Sequence, residues 1–365
     1  MQQTEGKSSR LSYIDVLRCV AILGVILVHC AQYGSGELGI PIFFTNIIHD
    51  GDRGVQLFFL MSAFTIWMTF SRHKLCEKKA SSNFYIRRFF RIAPMFYLAM
   101  AYYLVEDGVR SGISMWNIVA TTFFAHGISP YWINSVVPGG WTIAVEMSFY
   151  VGVPLMVKFV KDIKSATLVL LGSVLLKAVL QKIFEAHMLI PSRELWNDYL
   201  FQYFPGQIPI FMMGIILYYI FIDGKTAIAT LFAIITPMLL LEKINAVTFV
   251  DVGLLLWGFF FMGVAFLLHE FVRENRGTRF LAYIGKISYS MYLTQFAVLH
   301  WLERFNLLDT VGLSGPWRPI LNFGLRYSLV CAATVLVSSL TYKFVEKPFI
   351  AFGNSLIKRR EGLSA

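Results

Sequence analysis

The two residues of this sequence best suited to proton transfer are His29 and Glu146, which both lie in strongly apolar stretches. A histidine beside a carboxylate can act as a general base, because the carboxylate fixes the imidazole tautomer and stabilises the imidazolium. Charged groups at membrane depth are costly and usually face a protein interior or a water-filled cavity. A lone histidine at a helix end is more often structural, whereas Glu146 has no neighbouring cation in the sequence. The residues alone leave a catalytic and a structural interpretation open.

A second candidate site is an arginine cluster in the stretch Tyr-Ile-Arg-Arg-Phe-Phe-Arg-Ile-Ala-Pro, residues 85–94. The i,i+3 and i,i+4 spacing of Arg87, Arg88 and Arg91 allows their guanidinium groups to converge. Arginine recognises phosphate in a bidentate manner, and a helix N-terminus also favours anions. A topology anchor against anionic lipid headgroups would show the same pattern. Arg18, an intramembrane charge at similar depth, favours an anionic ligand that enters from the cytoplasm.

Hydroxyl and amide groups mark two further apolar stretches. Ser62 lies in the middle of an aromatic-rich stretch, and Tyr289 and Gln295 lie in the stretch Ile-Ser-Tyr-Ser-Met-Tyr-Leu-Thr-Gln. Hydrogen bonds between helices are the ordinary explanation of such groups. The four cysteines show neither metal-ligand spacing nor a disulfide framework, so no metal site is predicted.

The elements that carry these residues are predicted to be transmembrane helices. Hydrophobic residues make up 56% of the chain and charged residues only 15%, whereas a soluble domain has roughly a quarter of its residues charged. Lipid is therefore the expected solvent. A hydrocarbon core of about 30 Å needs about 20 apolar helical residues. Ten stretches meet this requirement: 12–32, 54–71, 86–105, 142–160, 165–184, 204–222, 226–242, 249–269, 284–302 and 322–345.

An eleventh block, 115–130, is short and leads into a Pro-Gly-Gly turn. With ten spans and a cytoplasmic N-terminus, 23 Lys and Arg residues face the cytoplasm and 9 face outward. A crossing at 115–130 would change this division to 17 and 15. Basic residues concentrate in cytoplasmic loops, so we expect a re-entrant or interfacial outer segment and two cytoplasmic termini. The predicted fold class is all-α, a polytopic integral membrane protein with about ten transmembrane helices.

Charge and the chain ends narrow the class of protein further. The net charge of +10 comes from Lys and Arg residues between the apolar blocks, and no basic stripe with interleaved aromatic residues predicts nucleic-acid binding. The first apolar block lacks a small-residue cleavage site, so it is expected to remain as a span. We expect a cytoplasmic tail at 1–11, a transmembrane domain at 12–349 and a basic cytoplasmic tail at 350–365.

The predicted topology brings His29 and Glu146 to a similar depth. His29 follows Arg18 by eleven residues, or about 17 Å along a helix axis, so it lies near the outer end of the first span. The fourth span runs inward, so Glu146, one turn after its start, also lies near the outer end. The two side chains, from different helices, are thereby expected to meet.

Taken in order, five sequence elements resemble the membrane-bound acyltransferase-3 family, whose members acylate bacterial surface polysaccharides and similar acceptors. The matching stretches run from Tyr13 to Phe349 and so cover nearly the whole chain. The first element is the pair Arg18 and His29, with ten residues between them. The others are Phe-Phe-x-x-Ser-x-Phe at 58–64, the arginine-rich stretch ending at Pro94, Trp-Thr-x-x-x-Glu at 141–146, and Ile-Ser-Tyr-Ser-x-Tyr-Leu at 287–293. Each element alone is weak, but five in this order are a specific signal.

The resemblance implies acyl transfer across the membrane of a bacterial cell, the inner membrane. An acyl-CoA, with acetyl-CoA the first choice, would bind from the cytoplasm. Its phosphates would be held by Arg18, Arg87, Arg88 and Arg91. His29, oriented by Glu146, would deprotonate a hydroxyl of a glycan or lipid-linked glycan, or would itself carry the acyl group. The expected acceptor contacts are Asp15, Ser62, Trp141, Tyr289 and Gln295.

Two positions depart from the family pattern. Ala63 replaces the usual glycine, and Gln295 stands where many relatives have histidine. Either the protein does without that histidine, or Gln295 only orients the acceptor. A transporter or flippase of a polysaccharide precursor is the alternative class, although the inverted repeats typical of many transporters are not evident. A purely structural scaffold would leave His29 and Glu146 unexplained.

Overall fold

The computed structural model describes residues 2–34, 40–106, 113–223, 252–308 and 317–362. Every regular element in these ranges is helical, which confirms the all-α prediction. The α-helices are α1 (Gln2–Gln32), α2 (Ile42–His49), α3 (Gly54–Cys76), α4 (Ala80–Glu106), α5 (Met115–Thr122), α6 (Trp141–Phe159), α7 (Ile163–Ala186), α8 (Arg193–Gln202), α9 (Phe204–Asp223), α10 (Val252–Phe271), α11 (Arg276–Lys286), α12 (Ser288–Arg304), α13 (Arg318–Thr341) and α14 (Lys347–Glu361). Short helical turns are Asp50–Arg53 and His126–Ile128, both 3-10, and the π-helical turn Tyr342–Glu346.

Seven stretches in the described ranges are long and apolar enough to cross a membrane. They are Ser12–Gln32, Ile42–Cys76, Trp141–Phe159, Ile163–Ala186, Arg193–Ile222, Gly253–Phe271 and Arg318–Glu361. Each of them coincides with one of the ten predicted spans, so the protein is a polytopic membrane protein.

The predicted count of ten spans is not confirmed by these seven stretches. The predicted span 226–242 lies outside the described residues. The predicted spans 86–105 and 284–302 correspond to α4 and α12, which are helical but are not among the seven. Three arginines make α4 less apolar, and α12 is only 17 residues long.

The segment predicted to be re-entrant or interfacial contains only short helical pieces. α5 has eight residues, or about 12 Å at 1.5 Å per residue, which is far less than the hydrocarbon thickness. The side chain of Ser114 caps its N-terminus by accepting a hydrogen bond from the backbone N–H of Asn117. A 3-10 turn and a series of tight turns lead from α5 to α6. No single helix of this described segment could cross a membrane.

The chain forms two compact units. Unit 1 comprises Met1–Phe58, Phe89–Ala99 and Ala265–Leu356. In unit 1, α1 packs against α11, α12 and α13. The closest approach is at Gly285, where a Cβ atom would lie 1.7 Å from the carbonyl oxygen of Asp15. Only glycine allows α11 to lie so near the backbone of α1.

Unit 2 comprises Phe59–Arg88, Met100–Val264 and Ile357–Ala365. In unit 2, α9 packs against both α6 and α7. The ring of Phe211 on α9 stacks on Phe149 of α6 with a centroid distance of 4.2 Å, and on Phe59 of α3 at 4.8 Å. Aromatic pairs of this kind add to the stabilisation from buried area. The stack therefore holds together the helices that carry Ser62 and Glu146.

Candidate active site

His29 lies in the last turn of α1, and α12 supplies its neighbours within unit 1. Its Nδ1 atom is 3.3 Å from Oε1 of Gln295, and its ring centroid is 4.4 Å from that of Phe296. Gln295 is completely buried. The Nε2 atom of Gln295 donates a hydrogen bond to the carbonyl oxygen of Tyr292 at 3.1 Å. This bond fixes the amide so that its oxygen faces the imidazole.

The orientation of the Gln295 amide determines which nitrogen of His29 carries the proton. An amide oxygen only accepts hydrogen bonds, so Nδ1 of the imidazole is the donor. The Nε2 atom of the neutral ring then has a free lone pair, which a general base or a nucleophile requires. The sequence predicts an acceptor contact for Gln295; the contact that the structure shows is with His29.

Charged side chains of α12 and α13 hold the C-terminal end of α1. The Nη1 atom of Arg326 donates hydrogen bonds to the carbonyl oxygens of Cys30 at 3.3 Å and Tyr33 at 2.5 Å. Gly34 has φ of +93°, and its N–H donates to Oε1 of Glu303 at 3.1 Å. A Cβ atom at Gly34 would lie 2.6 Å from Nη2 of Arg326. Both the backbone conformation and the packing therefore require glycine at this position.

Glu146 lies in unit 2 and accepts hydrogen bonds from two hydroxyl groups. Oγ of Ser62 donates to its Oε1 atom at 2.5 Å, and the hydroxyl of Tyr150 donates to the same oxygen. The two hydroxyl oxygens are 3.4 Å apart. The sequence predicts an acceptor contact for Ser62, and the structure shows its contact with Glu146. His29 and Glu146 belong to different units, so their pairing stays a prediction.

The three arginines of α4 have different partners in the structure. Arg87 forms two hydrogen bonds with the carboxylate of Glu77, at 2.8 and 2.9 Å, and Asn83 donates to the same carboxylate at 3.0 Å. Burial alone would raise the pKa of Glu77, but the hydrogen bonds from Arg87 and Asn83 hold this pKa below its usual value. The charge of Arg87 is thus balanced by a carboxylate beside it.

Arg91, in unit 1, is paired with a second carboxylate. Its Nη1 atom is 2.8 Å from Oε2 of Glu346, whose side chain is fully buried. Ser290 donates a hydrogen bond to the other carboxylate oxygen. Glu346 is the last residue of the π-helical turn between α13 and α14. Such turns often occur at functional sites, and this one places a carboxylate against the cation.

Arg88, in unit 2, has no carboxylate within 4 Å among the residues that the structure describes. Its guanidinium group lies over the rings of Phe84 and Tyr150, at 5.6 and 5.7 Å from their centroids. Contacts of a cation with aromatic faces are favourable, and more so when water is excluded. Tyr150 in turn donates to Glu146. Arg88 therefore lies beside the middle of α6.

The remaining predicted site residues have ordinary structural partners. Asp15 and Arg18 form an i,i+3 ion pair at 3.4 Å. The hydroxyl of Tyr289 donates to the carbonyl oxygen of Ile92 at 2.8 Å. Trp141 is buried at the start of α6, with its ring 5.8 Å from that of Phe59. No group of three or more His, Cys, Asp and Glu side chains in the described ranges could hold a metal ion.

Two buried charged residues near these groups were missed from the sequence, Arg326 and Glu346. Arg326 interrupts a predicted span, and an intramembrane charge is itself a signal of a buried partner. Glu346 lies between two lysines at the end of a predicted span, where a carboxylate looks like part of a solvated tail. Its burial follows from the π-helical turn, which sequence patterns do not reveal.

A membrane-embedded helical protein with a partly buried, hydrogen-bonded histidine is suited to acid–base or acyl-transfer chemistry. Comparison with known families agrees, since the family model described as an acyltransferase domain matches residues 11–343. The chain therefore belongs to the membrane-bound acyltransferase-3 family, and it is an enzyme, an O-acyltransferase. No curated protein and no solved structure matches the chain.

Proposed function

We propose that this enzyme transfers an acyl group, in the first instance acetyl, from cytoplasmic acyl-CoA to a hydroxyl of an envelope glycan. Transfer takes place at the outer side of a bacterial inner membrane, with both termini in the cytoplasm. Family membership supports acyl transfer in general. It also favours an enzyme over the transporter or flippase that ten spans alone would allow.

The observation that carries the proposal is the contact of His29 with Gln295. It leaves Nε2 of the imidazole unprotonated in the neutral ring. Phe296 lies against the same ring and helps to fix its orientation. A positioned imidazole with a free lone pair is the group that alcohol acylation by a thioester needs, because a neutral hydroxyl is a poor nucleophile.

In the proposed reaction, the acceptor hydroxyl gives its proton to Nε2 of His29 while its oxygen attacks the thioester carbonyl carbon. The carbon–oxygen bond of the new ester forms and the carbon–sulfur bond of the donor breaks. The thiolate of CoA leaves and takes up the proton from the imidazolium. In the alternative course, Nε2 attacks the thioester carbonyl carbon, the carbon–sulfur bond breaks and the thiolate of CoA leaves. The hydroxyl then attacks the acyl-imidazole, the carbon–nitrogen bond breaks to restore the imidazole, and the thiolate takes up the proton of the hydroxyl.

On the donor side, we propose that Arg88 and Arg18 contribute most to phosphate binding. Arg87 and Arg91 are paired with Glu77 and Glu346, so less of their charge is available to a ligand. Arg18 forms an i,i+3 ion pair with Asp15 at 3.4 Å, a longer separation than the 2.8 Å of the pairs that Arg87 and Arg91 form. In this proposal the longer pair exchanges more readily for a phosphate.

Purified protein incubated with radiolabelled acetyl-CoA and envelope glycan fractions tests the proposal directly. We expect label to appear in the glycan as an alkali-labile ester, with release of free CoA. Boiled protein and glycan without protein are the controls. Movement of glycan across proteoliposomes without release of CoA would instead support the transporter.

A further inference from the structure

Tyr150 of α6 contacts two groups of the candidate site at once. Its hydroxyl donates a hydrogen bond to Oε1 of Glu146, and its ring centroid lies 5.7 Å from the guanidinium carbon of Arg88. All three residues belong to unit 2, so both contacts lie within one compact part of the chain. Tyr150 therefore joins the predicted catalytic carboxylate to a cation that is proposed to bind the donor phosphates.

The contact with Glu146 follows from the local sequence of α6. Residues i and i+4 of a helix lie one turn apart on the same face, so the hydroxyl of Tyr150 can reach the carboxylate. Ser62 of α3 donates to the same carboxylate oxygen. The other oxygen of Glu146, Oε2, accepts no hydrogen bond from a residue that the structure describes. Two hydroxyl groups thus hold one oxygen and leave the second to another donor.

The contact with Arg88 is made by the ring of Tyr150 and not by its hydroxyl. Phe84, one turn before Arg88 on α4, lies on the same guanidinium group at 5.6 Å. The rings of Phe84 and Tyr150 meet edge to face, with 6.1 Å between their centroids. Aromatic faces attract a guanidinium group, and two of them restrict its orientations. A cation that is held in place loses less conformational entropy when it binds a phosphate.

The exposure of these side chains separates what can touch a substrate from what acts through a neighbour. Tyr150 is only 4% exposed. Ser62, Arg88 and Glu146 are all partly exposed. A ligand can therefore reach the cation and the carboxylate, whereas Tyr150 lies behind them and can act only by holding them.

We propose that Tyr150 is a positioning residue that holds Glu146 through its hydroxyl and Arg88 through its ring. Donor binding and the orientation of the carboxylate are thereby linked through one side chain. The inference rests on the proposed donor role of Arg88 and on the predicted catalytic role of Glu146. Because the two contacts use different atoms, substitutions can remove them one at a time.

Two variants should have opposite effects. Tyr150→Phe keeps the ring and removes one of the two donors to Glu146, so kcat for glycan acylation should fall about tenfold while the Kd for acetyl-CoA changes less than about twofold. Phe84→Leu removes a ring from Arg88 without touching Glu146, so this Kd should rise about threefold or more. Any fall of kcat in Phe84→Leu should be smaller than in Tyr150→Phe. Steady-state kinetics and calorimetric titration with acetyl-CoA measure the two constants.

Tyr85→Phe is the matched control for the hydroxyl. Tyr85 also joins α4 to α6, because its hydroxyl donates to the carbonyl oxygen of Val151 at 2.9 Å. Its removal deletes a hydrogen bond between the same two helices without touching Glu146, so kcat should stay within about twofold of the wild type. Equal losses of kcat in Tyr85→Phe and Tyr150→Phe would mean that the hydroxyl of Tyr150 acts only through helix packing.

Tyr150→Leu removes both contacts, so kcat should fall and Kd should rise together. Wild-type kcat in Tyr150→Phe would overturn the hold on Glu146. Unchanged Kd in both Tyr150→Leu and Phe84→Leu would overturn the hold on Arg88. If Tyr150→Phe does not fold, Ser62→Ala decides, because it removes the other donor to the same oxygen and should also lower kcat without changing Kd.

Failure of this inference can be told apart from failure of the proposed function. If the wild-type enzyme acylates glycan and Tyr150→Phe matches it in kcat, only the positioning role is wrong. A wild-type protein that binds acetyl-CoA but acylates no glycan would contradict the proposed function. The Kd values of Tyr150→Leu and Phe84→Leu would then still decide whether the aromatic rings hold the donor-binding cation.

Discussion

Gln295 gives the imidazole of His29 a defined tautomer, because its amide oxygen faces Nδ1 while its amide nitrogen is engaged with Tyr292. We therefore expect Gln295→Leu to lower kcat about tenfold, equivalent to about 1.4 kcal/mol in the barrier. The KM for acyl-CoA should change little, since the donor phosphates are bound elsewhere. Steady-state kinetics with saturating glycan measures both constants.

Gln207→Leu is the matched control for this substitution. Gln207 is equally buried, and its amide nitrogen also donates to a backbone carbonyl, that of Phe201, but it lies in unit 2. It should lose stability without a selective loss of kcat. Equal losses of kcat in the two variants would mean that Gln295 acts only through folding.

At the scale of the element, α1 ends where Arg326 binds the carbonyl oxygen of Cys30 in its last turn and that of Tyr33 just beyond it. Arg326→Met removes these bonds one residue beyond His29, so we expect a lower kcat and a loss of about 1–3 kcal/mol in the free energy of unfolding. Arg326→Lys keeps the charge but not the planar guanidinium group. Its kcat and its free energy of unfolding should therefore lie between those of Arg326→Met and the wild type. Thermal unfolding in detergent and turnover at saturating acetyl-CoA measure the two effects. Wild-type kcat in Arg326→Met would contradict a positioning role.

Along α4, the different partners of the arginines predict different consequences of their removal. Arg88→Ala should weaken acyl-CoA binding about tenfold or more, as a charge-assisted contact with phosphate is lost. Arg91→Ala leaves the buried carboxylate of Glu346 without its cation, and should cost about 3 kcal/mol of stability. Calorimetric titration with acetyl-CoA and thermal unfolding distinguish these effects. Unchanged affinity of Arg88→Ala for acetyl-CoA would show that Arg88 has only a structural role.

At the scale of the whole molecule, Cys76 reports the direction in which the chain crosses the membrane. It is exposed at the end of α3, whereas Cys19 and Cys30 are buried and Cys331 is partly buried. The predicted topology places Cys76 in the cytoplasm, so a membrane-impermeable maleimide should label it only after the cells are permeabilised. Labelling of Cys76 in intact cells would show that this end of α3 lies outside, opposite to the predicted topology.

A second thiol makes the topology test symmetrical. In a Cys76→Ser background, Leu307→Cys introduces an exposed thiol just beyond α12, on the side predicted to face outward. This thiol should react in intact cells. If Cys76 is cytoplasmic, failure to react in intact cells together with reaction after permeabilisation would show that the number of crossings between Cys76 and residue 307, α12 included, is wrong by an odd number.

The fold class and the helices could be predicted from the sequence because an apolar run of about 20 residues specifies a membrane helix by itself. The seven described stretches that are long and apolar enough to cross a membrane all coincide with predicted spans. The partners of the polar residues could not be predicted in the same way. In a helix that is apolar on every side, no periodic pattern marks the face that meets another helix.

His29 illustrates this limit on the candidate site. Its identity as a possible base follows from its residue type and its depth, but its partner Gln295 lies 266 residues away on a different helix. Likewise, the spacing of the arginines on α4 predicts that their guanidinium groups converge on one ligand. In the structure, Arg87 pairs with a carboxylate from a loop and Arg91 pairs with one from a π-helical turn. Long-range packing, and not local sequence, selects these pairs.

The proposed mechanism routes the acyl transfer through His29, so His29→Ala is the decisive variant. The measurement is transfer of radiolabelled acetyl from acetyl-CoA to glycan by variant protein that retains wild-type thermal stability and acetyl-CoA affinity. We expect the rate to fall to background. Glycan acylation at the wild-type rate in a folded, donor-binding His29→Ala protein would contradict the account.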